Sequence, residues 1–167
     1  MSATTTGVLS NILNYGHNVR PDLKTLEPRW LVASPYLEQE HLLDLNSLDG
    51  QSQLFALALT KLKAATDDYA VVNYEDALDF ETLMAELKSL THRHGVTWTK
   101  QDFYVVEFRS QLQESIDNAR LFKLDVESHR EAAQSGGLLK YWYGVPDSKR
   151  RNLATCEYPH SRPQRLF

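Results

Sequence analysis

Disulfides are excluded first: Cys156 is the only cysteine among 167 residues, and an intramolecular bridge needs a pair. A lone thiol fits a reducing compartment. Charge of one sign is not in excess either. The 18 Lys and Arg against 22 Asp and Glu leave a net charge of −4, which exerts no long-range pull toward phosphate backbones or anionic lipid. Long hydrophobic runs are missing: the densest apolar stretch, Leu54 to Leu62, contains Thr60 and Lys61 and falls well short of the roughly 20 residues that cross a bilayer. The start, Met1-Ser-Ala-Thr-Thr-Thr-Gly7, lacks the basic and apolar regions of a secretory leader. The expectation is a cytoplasmic protein with neither membrane nor nucleic acid as a partner, nuclear entry of so small a chain needing no signal. No Gly-rich loop ending in Lys-Ser/Thr, dinucleotide fingerprint or Gly-x-Ser-x-Gly elbow occurs, so phosphate cradling and acyl transfer lack their usual machinery. No cofactor is expected.

What is present is ordinary globular material. Apolar residues make up 42% and charged residues 24%, enough for one core of about 100–150 residues. Residues 1–34 read as a partly irregular N-terminal tail, 35–158 as a single domain and 159–167 as a C-terminal tail. Within them, Arg29–Ala33 suggests a short strand. Leu54, Phe55, Ala58, Leu59 and Leu62 form the stripe of a helix over Gln51–Lys63, capped by Asp49 or Ser52. Tyr69–Tyr74, short, β-branched and aromatic, reads as a strand. A second helix starts at the N-cap Asp79, carries Phe80, Leu83, Met84, Leu87 and Leu90 on one face, and stops at Gly95. Phe103–Arg109 is a strong strand. A third helix runs from Ser115 or Asp117 to about Gln134, with Phe122, Val126, His129 and Ala133 on one face, and Gly136-Gly137 ends it. Leu138–Tyr143 and Asn152–Cys156 then pair across a turn at Gly144–Asp147. This order predicts an α+β fold, a ferredoxin-like sandwich with helices on one face of an antiparallel or mixed sheet.

Phe103-Tyr-Val-Val-Glu-Phe-Arg-Ser110, Ser128-His-Arg-Glu-Ala132, Gly136-Gly-Leu-Leu-Lys-Tyr-Trp-Tyr-Gly144 and Arg151-Asn-Leu-Ala-Thr-Cys156 resemble an uncharacterised, mainly fungal protein family. Leu42–Leu48 and Leu54–Ala58 are similar to its N-terminal half, so the resemblance spans roughly residues 36–156. It implies a layout like the dimeric α/β-barrel proteins, which include cofactor-free oxygenases, cyclases and decarboxylases, and it implies a homodimer. Members of the family continue past this point into a helix and a closing strand, whereas Glu157–Phe167, with Pro159 and Pro163, is a shortened or divergent C-terminus. The expected consequence is an exposed sheet edge, an N-terminal segment that compensates, or a subunit interface.

Among ionisable residues His129 stands out. It shares a helix face with Phe122 and Val126, where burial and a partner can tune it for proton transfer; a core histidine bonded to backbone or tyrosine is the plainer account. Asp125, four residues earlier, can pair with it along the helix. Tyr141 and Tyr143 alternate with Lys140 and Trp142, and with Tyr104 and Arg109 they are candidate lining of a pocket for a small apolar or aromatic ligand, or else core and dimer interface. His92 and His94 are two apart on a helix and diverge, so no metal site is expected. Lys149-Arg150-Arg151 sits in a turn, the usual place for solvated charge. Two functions stay open: a small-molecule-binding or interaction domain without a catalytic motif, or a cofactor-independent oxygenase, cyclase or isomerase with His129 as acid or base. The second requires a ring nitrogen of His129 on an open cavity with a tyrosine hydroxyl in reach.

Overall fold

Strand alternation and helix caps account for most of the elements. The computed structural model describes residues 29–160 together with the backbone of residues 2–5. The strands are β1 (Ser2–Thr5), β2 (Trp30–Leu31), β3 (Leu43–Asp44), β4 (Phe103–Gln111), β5 (Lys140–Tyr143) and β6 (Arg151–Pro159), and the helices are α1 (Gly50–Ala58), α2 (Tyr74–Ala77), α3 (Phe80–Arg93) and α4 (Asn118–Ser135). A 3-10 turn, Gln39–His41, precedes β3. Side-chain oxygens of Asp49, Asp79 and Asp117 accept hydrogen bonds from the free N–H groups at the starts of α1, α3 and α4, the standard role of aspartate there. Gly136, at φ +79°, ends α4 in a conformation that a Cβ would strain.

The main sheet has the order β1-β4-β6-β5, every neighbouring pair antiparallel. Since β4 and β5 both run against β6, they are parallel to one another, and α4 connects them across the intervening strand. This is a split β-α-β unit, and the architecture is α+β. The outer side of β4 carries β1, so an N-terminal segment occupies that edge.

Register divides the sheet cleanly. Tyr141 lies opposite Cys156 and Cys156 opposite Val106, so these residues, with Tyr104, Phe108, Tyr143, Ala154 and Tyr158, share one face. Ala132 and Val126 of α4 pack there with Tyr36 and Leu138. Lys140, Trp142, Leu153, Thr155, Glu157, Phe103, Val105, Glu107 and Arg109 occupy the other face. Against it lies the larger core, in which Leu54, Phe55 and Leu59 from the α1 region meet Leu83, Leu87 and Leu90 of α3. Phe55 and Phe103 bring their ring centroids within 4.0 Å. Each such fully buried side chain contributes about 1.5–3 kcal/mol. Among the described residues, α4 is the helix on the first face, while α1 and α3 pack on the second, so helices flank the sheet on both sides.

Tyr69–Tyr74 corrects the expectation of a strand. Val71 and Val72 both return their N–H groups to the Asp68 carbonyl, and Tyr74 opens α2. The outward carbonyls that a strand would satisfy by pairing are bonded by a side chain: Arg109 reaches the Val72 carbonyl at 2.6 Å and that of Tyr69 at 3.5 Å. The Tyr69 hydroxyl donates to the Val145 carbonyl. Tertiary anchoring overrides β-propensity here. β6 also runs beyond Cys156, through Pro159. Proline is tolerated because β5 pairs no further along β6 than Glu157.

Candidate functional site

The amphipathic period of α4 puts Asp125, His129 and Ala132 or Ala133 on successive turns of one stripe. Two segments from earlier in the chain meet that stripe: Tyr36, just past β2, and His41, in the turn before β3. His129 and His41 are both buried, and their Nδ1 atoms lie 2.8 Å apart. A bond between like nitrogens requires one to carry the proton and the other a lone pair. The Tyr36 ring sits 4.9 Å from His41 and 5.1 Å from His129, and the Tyr141 ring 5.4 Å from His129.

Asp125 accepts from two phenols. Tyr141 donates to Oδ1 at 2.7 Å and Tyr36 donates to Oδ2. Burial raises both tyrosine pKa values, and the bonds to Asp125 add to the effect. The carboxylate thus clamps the Tyr36 segment and β5 to α4, and neither phenol is bonded to an imidazole.

His129 is pushed down to about 4, first by burial and then by the proximity of His41, with Asp125 opposing. It is therefore neutral at pH 7. With Nδ1 engaged by His41, its Nε2 is buried and without a partner among the described residues, an arrangement that costs about 1–3 kcal/mol. Both histidines line a cleft of about 250 Å³ between Trp30, Leu42, Leu43, Asp44 and Ser47 on one side and Ala133 and Gly136–Leu138 on the other. Arg29 braces its mouth, stacking 4.9 Å over the Trp30 ring and donating to Asp44 at 2.7 Å. Gly136 and Gly137 add no side chain to their stretch of that wall.

The candidates named from sequence separate. His129 lines the cleft. Tyr141 lies behind it in ring contact, with Tyr143 beyond, 5.7 Å from Tyr141. Tyr104 shares their sheet face but stacks on His160 at 4.7 Å. Arg109 is on the opposite face, paired with Glu107 and serving the Tyr69 turn, so it and His129 are not brought together. His41 and Tyr36 were missed by the sequence reading. Their segment, which includes Pro35, has no helical or strand periodicity that would single out either residue.

No helix among the described residues is long and apolar enough to cross a membrane, and no group of three or more metal-ligating side chains occurs among them. No solved structure matches the chain. The sequence profile of the PB2B2.08-like family matches residues 32–163. The UPF0643 protein PB2B2.08 of Schizosaccharomyces pombe (strain 972 / ATCC 24843) is 36% identical over 150 residues, covering 86% of this chain and 68% of that protein. The matched span takes in β3 through β6, and with them both histidines, Asp125 and every cleft residue named above except Trp30, so the chain belongs to the PB2B2.08-like family.

Proposed function

We propose that the chain is a small-molecule-binding domain whose ligand occupies the cleft beside His41 and His129. The observation that carries this reading is a cleft of about 250 Å³ lined by the two buried histidines, with a buried nitrogen of His129 that has no partner among the described residues. A concave, largely apolar lining with a few buried polar groups is the usual character of a small-molecule site. The volume lies near the lower end of the roughly 300–1,000 Å³ range of ligand sites, which sets the scale of the ligand at one small ring system or a short chain.

The rival reading, a cofactor-independent enzyme with His129 as acid or base, draws on the same ring but meets two physical objections. A histidine held near 4 is not imidazolium at pH 7, so it is no general acid there, and it is a weak base. The hydroxyls of Tyr36 and Tyr141, the two tyrosines whose rings contact His129, are already given to Asp125. Binding is therefore the better-supported function.

The test is native mass spectrometry of the purified chain followed by a thermal-shift screen of small uncharged molecules, on the natural sequence and on Ala133→Phe. Ala133 is half-buried on the cleft side of α4, so phenylalanine fills the cleft without entering the main core. A co-purified or stabilising molecule that is lost with Ala133→Phe, while unfolding stays cooperative, supports the reading. A molecule retained by the variant places binding elsewhere.

A further inference from the structure

Residues 65–77 lie on the sheet face opposite α4, away from the cleft, and the chain is drawn together at both their ends. Ala64 and Leu78 form an antiparallel bridge; the Ala65 N–H donates to the Ala77 carbonyl and the Asp79 N–H to the Lys63 carbonyl, each at 2.9 Å. A surface segment of roughly 6–16 residues with joined ends is an Ω-loop. We propose that this loop is a lid that lifts off the sheet as one unit while the rest of the domain stays folded, uncovering a charged strip formed by Glu157, Lys140 and Arg109. The proposal is independent of ligand binding in the cleft.

The loop can move as a unit because its backbone bonds are its own. The Tyr69 N–H donates to the Thr66 carbonyl, those of Val71 and Val72 to Asp68, and those of Asp76 and Ala77 to Asn73. Among the described residues no backbone hydrogen bond joins residues 66–77 to the sheet. Side chains fasten it instead. Arg109 donates to the carbonyls of Tyr69 and Val72, and the Tyr74 hydroxyl donates to Glu157 at 3.4 Å. The Tyr69 ring stands edge-on to Trp142 with centroids 5.5 Å apart, and its hydroxyl donates to the Val145 carbonyl. Gly144 makes the seat for that ring: a Cβ there would overlap the ring's far end. The inward residues Ala70 and Val72 bury little apolar area beside the leucines that α1 and α3 bring to the same side.

What lies beneath favours release. Glu157 is buried with Oε2 unpartnered among the described residues, burial pulls the pKa of Lys140 down, and Glu107 and Arg109 pair on β4. Water that reaches this strip restores the hydration that closure removes, so opening costs less than unfolding. Opening is also linked to pH. The groups facing Glu157 are Lys140 from β5, Tyr74 from the loop and Thr155 from its own strand, with Glu107 of β4 acting on the Tyr74 phenol. Together they leave Glu157 at about 7 in the closed state, against 4.5 when hydrated. The closed state therefore holds a proton that the open state releases between these values, and opening becomes easier as pH rises from 4.5 to about 7.

Native-state hydrogen exchange at low urea, followed by ¹H–¹⁵N spectra, tests the lid. The amides of Val71, Val72 and Ala77 are expected to share one opening free energy, smaller than that of Leu87 and Leu90 in α3 and with a smaller urea slope. Leu87→Ala, in the core beside Phe55 and Trp98, should cut α3 protection more than tenfold and leave loop protection unchanged, because the open state retains that core. Gly144→Ala displaces the Tyr69 ring and should cut loop protection about tenfold; Tyr69→Ala, which removes the ring without a clash, should act in the same direction. From pH 5 to pH 8, loop protection corrected for the intrinsic exchange rate should fall about fiftyfold in the natural chain and stay level in Glu157→Gln. Loop protection that falls with α3 in Leu87→Ala, or loop amides with unrelated opening energies, overturns the lid. Protection unmoved by both Gly144→Ala and Tyr69→Ala overturns the Tyr69 seat, and opening that is level with pH in the natural chain overturns the part played by Glu157.

Discussion

Glu157 gives the most quantitative test of the sheet's second face. It sits on the central strand β6, is 1% exposed, and has one carboxylate oxygen, Oε2, without a partner among the described residues. Burial pushes its pKa up to about 7 from the ordinary 4.5; the neighbouring Thr155 hydroxyl, the Lys140 ammonium and the Tyr74 hydroxyl oppose that rise without cancelling it. The sign follows from linkage. Below pH 4.5 the carboxyl is protonated in both folded and unfolded chains and costs nothing. Between 4.5 and about 7 the unfolded chain gives up the proton while the folded one retains it, so stability falls by ~1.4 kcal/mol per pH unit. Above 7 the loss levels off at about 3 kcal/mol. Glu157→Gln keeps the shape and removes the titration. The stability difference between the natural chain and the variant, from urea unfolding followed by circular dichroism, should therefore shift by about 3 kcal/mol against the natural chain between pH 4.5 and 8. In a Lys140→Met background the slope should extend to higher pH, because an ammonium that favours the carboxylate is gone. A difference that stays flat across the window would refute the argument and mean that Glu157 ionises in the fold as freely as in water.

Two further substitutions probe other levels of the structure. Asp125→Asn halves the acceptor capacity of the clamp and leaves one buried phenol facing an amide N–H; a loss of about 2–3 kcal/mol is expected from charge-assisted bonds, with Tyr36→Phe recovering part of it in the double variant, measured by a double-mutant cycle. Leu153→Ala, at a fully buried position of β6 in the larger core, should cost about 2–5 kcal/mol by chemical denaturation, and a loss under about 1 kcal/mol would mean that the core collapses around the gap.

How much of this was legible in the chain depends on whether the cause was local. Helices α3 and α4 were readable because cap, apolar stripe and glycine stop all lie within one segment: Asp79 to Gly95, Asp117 to Gly136. β4, β5 and β6 were readable from alternation, which also assigned Tyr141 and Trp142 to opposite faces. Tyr69–Tyr74 was misread because the decisive partner is Arg109, some 40 residues later, and a strand and an anchored turn can share the same valines and tyrosines. The layout with helices on one face accounted for α4 but not for α1 and α3: periodicity says that a helix has an apolar face, not which side of the sheet receives it.

The candidate site follows the same rule more severely. His129 and Asp125 were visible as an i, i+4 pair on a helix, and the natural inference was that they bond to each other. In the fold each takes partners from elsewhere: Asp125 the phenols of Tyr36 and Tyr141, His129 the imidazole of His41, 88 residues away in sequence. That exchange changes the chemistry. An Asp–His pair would raise the basicity of the imidazole and favour proton transfer, whereas burial beside His41 keeps His129 neutral. The preference for a binding over a catalytic reading thus rests on a contact between segments 88 residues apart in sequence, and no pattern within α4 encodes it.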